Sequence, residues 1–167
     1  GDRSDQIPQL YAYFCEEGQF YLVQEWIQGQ TVSSMVEVKG LFSETAVKDI
    51  LVNLLSLLDY VHSEGIIHRD IKPDNIILRH LNGKPVLIDF GAVKETIAKV
   101  GYIQGKLNPS MVFGTPGFMS PEQAAGRPSY TSDLYSLGMT AIYMLTGKLP
   151  QQLDIDPQTG HILWQQY

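Results

Sequence analysis

The chain has 167 residues, of which 44% are hydrophobic and 18% charged, with a formal net charge of −6 at pH 7. This composition is that of a folded domain with a core, and it excludes intrinsic disorder. The negative charge, without any block of Lys or Arg, argues against nucleic acid or an anionic membrane as the main partner. Cys15 is the only cysteine, so an internal disulfide is excluded and a reducing, cytoplasmic location is expected. The most apolar stretch, residues 50–58, is too short to cross a bilayer, although an anchor elsewhere in a longer protein stays open.

The first part of the chain predicts a hairpin and a short helix. Residues 10–15 and 19–26 are rich in aromatic and β-branched side chains and flank a polar turn at residues 16–18, which predicts an antiparallel hairpin. Residues 31–37 can form a short helix. These elements precede the longer helix that carries most of the predicted core.

A long amphipathic helix is predicted to begin after Ser43 and to end near Gly65. Ser43 is a suitable N-cap, and Glu44 lies in the first turn, where the helix dipole favours an anion. Apolar residues then recur at intervals of three and four, the period of one helix face. They are Val47, Ile50, Leu51, Leu54, Leu58 and Val61. His62, near the end of this helix, is expected to be packed or exposed and not catalytic.

The residues that follow predict a site for a divalent cation. Two apolar runs, residues 76–78 and 85–88, flank Asn82-Gly83, which is a strong signal for a two-residue hairpin turn. Such a hairpin would bring Asn75, before the first strand, close to Asp89, after the second. Amide and carboxylate oxygens are ligands that Mg²⁺ accepts together with waters and phosphates. Asp70 would lie near this cation and could orient a nucleophile.

Residues 68–75, His-Arg-Asp-Ile-Lys-Pro-Asp-Asn, and residues 89–91, Asp-Phe-Gly, resemble the signature of the serine/threonine protein kinases. The resemblance covers nearly the whole chain and implies an α+β fold with a mainly helical large lobe. Residues 1–27 would form strands and the hinge of the small lobe, and residues 28–167 part of the large lobe. It also implies ATP-dependent phosphoryl transfer to serine or threonine hydroxyls of protein substrates, with ATP and Mg²⁺ bound.

The resemblance assigns roles to individual residues near the phosphates. Asp70 would accept or orient the proton of the substrate hydroxyl, and Lys72, two residues later, would steady the γ-phosphate. Asn75 and Asp89 would hold Mg²⁺. Thr115 would stand beside Asp70 and Lys72 at the wall that receives the substrate.

A second group of residues would bind the adenine end of the nucleotide. Gln24 falls at the gatekeeper position. The backbone carbonyl of Glu25 and the backbone N–H of Ile27 would pair with the adenine edge, and Ile77 is also placed in the nucleotide site.

Residues 89–122 resemble a kinase activation segment. Residues 92–113 show poor periodicity, as expected of a loop, and residues 114–122 resemble the end of such a segment, with Ser-Pro-Glu in place of the usual Ala-Pro-Glu. Ser120 can cap a short helix that Pro121 opens. An arginine directly before the catalytic acid is typical of kinases switched by phosphorylation of this segment, and Thr96 and Ser110 are the candidate acceptors.

Residues 130–145 predict a buried helix that Gly147 ends, because few of its side chains are polar. In the resemblance this is the central helix of the large lobe, residues 68–75 are the catalytic loop, and Asp133 near the start of the helix would hold the backbone of that loop. A buried carboxylate must be paired, since an isolated one is costly in an apolar setting.

The chain also departs from the family pattern. No two of its fifteen glycines are spaced by two, so the Gly-x-Gly-x-x-Gly phosphate loop is absent. No strand lysine or helix glutamate precedes Leu10. We therefore expect a piece of a kinase domain with little activity by itself, and possible self-association through the activation segment or exposed apolar surfaces. The alternative is a pseudokinase or a kinase-like binding or regulatory module.

Overall fold

The computed structural model describes residues 4–17, 19–91 and 114–167. The candidate phosphorylation sites Thr96 and Ser110 lie outside the described residues. Within them the chain has helices and three small antiparallel sheets, which is the predicted α+β class.

The predicted first hairpin is confirmed. Strand β1, Leu10–Glu16, pairs antiparallel with β2, Gln19–Gln24. The second strand ends two residues before the predicted limit at residue 26. Every side chain of β1 is exposed, and Phe14 stacks on its cross-strand partner Tyr21 at 5.2 Å between ring centroids. Cross-strand aromatic pairs of this kind stabilise a two-stranded sheet that has little other packing.

The second sheet contains β3 (Gly29–Thr31), β4 (Ile76–Arg79) and β5 (Pro85–Leu87) in that spatial order. The sequence did not predict β3. Its pairing with β4 depends on Gly29, because a Cβ there would lie 2.3 Å from the carbonyl oxygen of Leu78. Strands β4 and β5 confirm the predicted pair.

The turn that joins β4 to β5 differs from its prediction. The backbone N–H of Arg79 donates to the carbonyl of Lys84 at 3.1 Å, so residues 80–83 form a four-residue loop and Asn82-Gly83 fills only its second half. Gly83 adopts φ +68°, and Asn82 Oδ1 accepts from the backbone N–H of Lys84. The Asn-Gly signal therefore identified the turn but not its length.

Three of the helices are capped at the N-terminus by the hydroxyl of a serine or threonine side chain. Helix α1, Val32–Lys39, is capped by Thr31 and begins one residue later than predicted. Helix α2, Glu44–Ser63, is capped by Ser43 as predicted. The short helix α3, Pro121–Ala124, is capped by Ser120, and α4, Tyr130–Thr146, ends at Gly147 in the left-handed conformation.

The core lies where α2 packs against α4 and β5. Its members in α2 and α4 are Val47, Ile50, Leu54, Leu57, Leu58, Val61, Leu137, Ala141 and Met144. Leu57, which the periodicity did not single out, is fully buried, whereas the predicted Leu51 is only partly buried. Leu134, expected on a helix buried all round, is 45% exposed, so α4 keeps one open face.

Residues 148–167 form a one-turn helix, Pro150–Gln152, followed by a short hairpin of β6 (Asp154–Ile155) and β7 (Ile162–Leu163). Leu153 packs with Phe118 and Met139 in a small second core. Among the helices of the described residues, none is long and apolar enough to span a membrane.

Candidate active site

The catalytic loop is anchored by one carboxylate of helix α4. Asp133 Oδ2 accepts from the backbone N–H of His68 at 2.8 Å, and Oδ1 accepts from that of Arg69 at 2.9 Å. Asp133 is fully buried, and the Nε2 atom of His62 lies 2.8 Å from its Oδ2. The predicted anchoring role of Asp133 is confirmed. His62 belongs to the same anchor, a contact that the sequence did not reveal.

His68 joins the catalytic loop to the Asp-Phe-Gly motif. Its Nδ1 accepts from the backbone N–H of Asp70 at 3.1 Å, so the proton of the neutral ring must lie on Nε2, which donates to the carbonyl of Ile88 at 2.9 Å. The ring also packs against Phe90, with 4.4 Å between centroids. The backbone N–H of Gly91 donates to the His68 carbonyl at 2.7 Å, where a Cβ on residue 91 would lie only 2.8 Å away.

Asp70 is held by two residues that the sequence singled out. Its Oδ1 accepts from the Thr115 hydroxyl at 2.8 Å, and its backbone carbonyl accepts from Asn75 Nδ2 at 2.8 Å. The structure therefore brings Thr115 to Asp70 across 45 residues of sequence. Lys72 is half-buried in the same loop, and its carbonyl accepts from the backbone N–H of Asn75.

Asn75 and Asp89 lie at one end of the β4–β5 pair. The backbone N–H of Ile88 donates to the Asn75 carbonyl at 3.0 Å, which places Asp89 directly after the residue that pairs with Asn75. Because the Asn75 amide nitrogen is bonded to Asp70, its amide oxygen is the atom that remains for a ligand. Asp89 is exposed and has φ +58°, a left-handed backbone that is uncommon outside glycine.

This donor set fits Mg²⁺. The described residues contain no group of three or more His, Cys, Asp or Glu side chains that could hold a metal. One amide oxygen and one carboxylate would leave the other positions to phosphate and water oxygens, and Mg²⁺ is commonly bound in this way.

The predicted adenine-binding residues lie at the end of β2 and just after it. Gln24 is exposed, and Ile27 is buried. The backbone N–H of Glu25 donates to the Gln9 carbonyl at 2.8 Å, and its carboxylate accepts from Arg79 at 3.1 Å. Ile77 pairs with both neighbouring strands in the middle of β4 and is half-buried.

Helix α4 also holds the end of the segment that carries Thr115. The Ser136 hydroxyl donates to the Phe118 carbonyl at 2.7 Å, and the Ser132 hydroxyl donates to Glu122 Oε1 at 2.8 Å. The Ser132 hydroxyl, assisted by the backbone N–H of Glu122 itself and by Ser120, lowers the pKa of the Glu122 carboxyl. One helix thus positions both the catalytic loop and the segment that faces it.

Gln123 is a site residue that sequence reasoning missed. Its side chain is buried, and its Nε2 donates to the backbone carbonyl of Arg69 at 2.5 Å. The only sequence signal was its place directly after Glu122, in the helix that Ser120 caps.

A sequence model of the protein kinase domain family matches residues 2–166. Among curated proteins, the chain is 62% identical over its full length to a serine/threonine-protein kinase PknA of Nostoc sp., and it covers 30% of that protein. It is 57% identical, over 99% of its length, to a serine/threonine-protein kinase C of Synechocystis sp., of which it covers 31%. The chain therefore spans about a third of the length of these relatives.

A solved structure of Rad53 residues 1–466 in complex with AMP-PNP is similar over 96% of the chain, with a TM-score of 0.68 and 27% sequence identity. The chain covers 38% of that structure.

Proposed function

This chain belongs to the protein kinase family, and from that premise we propose that the protein transfers the γ-phosphoryl group of ATP to serine or threonine hydroxyls of protein substrates. The observation that carries this proposal is the Thr115 hydroxyl donating to the Asp70 carboxylate, at the end of the hairpin where Asn75 and Asp89 meet. A carboxylate that already accepts from one hydroxyl is suited to accept from a substrate hydroxyl.

Phosphoryl transfer asks a protein mainly for positioning and for stabilisation of negative charge. We assign Asp70 the role of orienting the attacking hydroxyl and accepting its proton. Lys72, half-buried two residues later, would neutralise charge that builds on the transferring group. Thr115 would fix the Asp70 carboxylate and line the wall that receives the substrate.

We assign the cation site to Asn75 and Asp89, because their oxygen donors and their position at one hairpin end fit Mg²⁺. Asn75 and Asp89 would hold the ion beside the ATP phosphates, where it would supply positive charge that offsets theirs. The contribution of the chain is to hold Asn75 through its bond to Asp70, so that the amide oxygen is presented in one orientation.

The proposal places the adenine ring against the end of β2. The carbonyl of Glu25 and the N–H of Ile27 would pair with it, Gln24 would lie beside it, and Ile77 would pack below. The hydrogen bond from Arg79 to the Glu25 carboxylate supports this arrangement, since it restrains Glu25. The proposal includes a cytoplasmic site of action, where ATP is available.

The experiment is a transfer assay on the full-length protein with Mg-ATP and a panel of serine- and threonine-containing peptides, with the phosphorylated residue identified by mass spectrometry. We expect little turnover from residues 1–167 by themselves, because they contain no Gly-x-Gly-x-x-Gly loop. In the full-length protein we expect Asp70→Asn to lower kcat by roughly 100-fold or more, as loss of a general base does. Asp59→Asn, at an exposed acid of helix α2, is the matched control and should leave the rate unchanged.

Calorimetric titration with ATP separates binding from chemistry. Asp70→Asn should still bind Mg-ATP, whereas Asp89→Asn should lose the Mg²⁺-dependent part of ATP affinity. A full-length protein that binds nucleotide yet transfers nothing under any condition would favour a kinase-like regulatory module instead. Transfer that is unaffected by Asp70→Asn would contradict the assigned roles.

A further inference from the structure

Gln123 reaches the catalytic loop from outside it. The residue follows Glu122 in helix α3 and is 2% exposed. Its side-chain amide faces the backbone carbonyl of Arg69, and the atom in contact must be the NH₂ group, since two oxygens at that separation would repel each other. The buried Gln123 side chain thus bonds a backbone oxygen of the catalytic loop.

The residue that this bond restrains has an unusual backbone. Arg69 adopts φ +72°, a left-handed conformation that a residue with a Cβ keeps only when its surroundings enforce it. Its N–H is bonded to Asp133, and its carbonyl is bonded to Gln123. That carbonyl belongs to the peptide bond between Arg69 and Asp70, so Gln123 restrains the orientation of the peptide plane directly before Asp70.

Gly114, directly before Thr115, packs closely over the hydrogen bond between Gln123 and the Arg69 carbonyl. A Cβ added to Gly114 would lie 2.7 Å from Gln123 Nε2 and 3.3 Å from the Arg69 carbonyl oxygen. The next residue, Thr115, donates to the Asp70 carboxylate. The two ends of residues 114–123 therefore contact adjacent residues of the catalytic loop: Thr115 bonds Asp70, and Gln123 bonds Arg69.

We propose that Gln123 is a positioning residue for Asp70. Its amide couples residues 114–122, the end of the activation segment, to the orientation of the Asp70 side chain. Helix α4 holds the loop through Asp133 and holds the segment end through Ser132 and Ser136. Gln123 adds a direct hydrogen bond between the catalytic loop and the end of the activation segment. It does not touch the reacting groups, and its kinetic effect rests on the phosphotransfer proposed above.

The test compares Gln123→Met with the parent in the full-length protein. Methionine keeps the length and volume of the side chain but cannot donate. We expect kcat to fall by about tenfold, because a small displacement of a catalytic group is costly, while KM for ATP stays near the parent value. Tm should fall by a few degrees, because the Arg69 carbonyl loses a buried donor. Gln158→Met, at an exposed glutamine in the β6–β7 turn, is the matched control and should leave kcat, KM and Tm unchanged.

Gln123→Glu supplies a readout that a purely structural role would not give. The ionised acid cannot donate to the Arg69 carbonyl, whereas the protonated acid can. The ratio of its kcat to the parent kcat should therefore rise as the pH is lowered through the pKa of the introduced acid. This variant decides the question if Gln123→Met is too unstable to assay.

Hydrogen exchange of the peptide covering residues 66–72 in the full-length protein gives a reading that does not depend on activity. Exchange should be faster in Gln123→Met than in the parent and unchanged in Gln158→Met. If the parent is active, a Gln123→Met kcat equal to that of the parent overturns the inference and leaves the proposed function standing. If the parent transfers no phosphate, the proposed function fails, and the exchange rates still support the inference when they rise or overturn it when they do not.

Discussion

The β1–β2 hairpin and the α2–α4 layer are organised in opposite ways. Every side chain of β1 is exposed; Gln9 and Glu25 bond each other at the base of the hairpin, and the Glu25 carboxylate accepts from Arg79 of β4. Helices α2 and α4, in contrast, bury a continuous apolar face and hold the catalytic loop through Asp133. The parts proposed for phosphate transfer are thus fixed by packing within this chain, whereas Gln24 and Glu25, two of the residues proposed for adenine, lie at the exposed end of the hairpin and are restrained by a few hydrogen bonds.

In the α2–α4 layer, the same contacts stabilise the fold and set the geometry of the proposed phosphate-transfer site. A two-stranded sheet without packing is marginal in water, so the hairpin adds little to the free energy of folding. Changes in the α2–α4 layer should therefore affect stability and catalytic geometry together, and changes in the hairpin should affect neither strongly.

The largest effect is expected for Asp133→Ala. The substitution leaves the buried N–H groups of His68 and Arg69 without an acceptor, at an expected cost of about 3–5 kcal/mol in the free energy of unfolding. Urea unfolding measures this cost. Asp59→Ala on the exposed face of α2 should stay within about 0.5 kcal/mol of the parent, and a similar small value for Asp133→Ala would contradict the anchoring account.

A pair of apolar substitutions compares the two regions directly. Leu57 is fully buried in α2, and Leu57→Ala should lower the free energy of unfolding by about 2–5 kcal/mol, because it removes apolar contacts and leaves a cavity. Tyr13 in β1 is 72% exposed, and Tyr13→Ala should change it by no more than about 0.5 kcal/mol. Equal losses in denaturant unfolding would show that the hairpin is part of the cooperative core.

Two glycine-to-alanine substitutions distinguish the effect of a steric clash from that of helix propensity. Gly91→Ala would press a methyl group against the His68 carbonyl and should cost about 1–3 kcal/mol. Gly138→Ala in α4 meets open space and should stabilise the protein by up to about 1 kcal/mol, since alanine loses less entropy in a helix. Thermal unfolding of the two variants should shift Tm in opposite directions, and shifts of the same sign would be inconsistent with this packing.

The smallest effect concerns acid pH. Because the Ser132 hydroxyl lowers the pKa of Glu122 in the folded protein, the stabilisation is present above the unfolded pKa near 4.5 and is lost as the pH falls through the lower folded value. Glu122→Gln removes the titrating group and should make the decline of Tm shallower below about pH 4.5. Superimposable Tm curves for parent and variant over that range would argue against this contribution.

The sequence was most informative where local chemistry and long-range contact point to the same residue. The hydroxyl caps at Ser43 and Ser120 and the apolar period of α2 led to confirmed helices. The anchoring role of Asp133 was implied by the family resemblance, and it agrees with the need of a buried carboxylate for partners, which the structure supplies. The roles given to Lys72, Asn75, Asp89 and the hinge residues stay predictions.

Each residue or element that the sequence missed has its own physical reason. Leu57 lies beside Leu58, and a helix face wide enough to bury both is wider than the strict three- and four-residue period suggests. Strand β3 is three residues long and is defined by its partner β4 more than by its own composition. The Gln123 contact joins residues 54 apart, and no local pattern encodes a glutamine that reaches a distant carbonyl.

The bond between Asp133 and the backbone of His68 spans 65 residues of sequence. During synthesis the catalytic motif therefore leaves the ribosome well before the helix that orients it, and at about 5–20 residues per second this delay lasts several seconds. Throughout that interval the nascent chain carries the full catalytic motif but lacks its principal anchor. A chain interrupted before α4 would contain every residue of the catalytic loop without the carboxylate that holds its backbone in place.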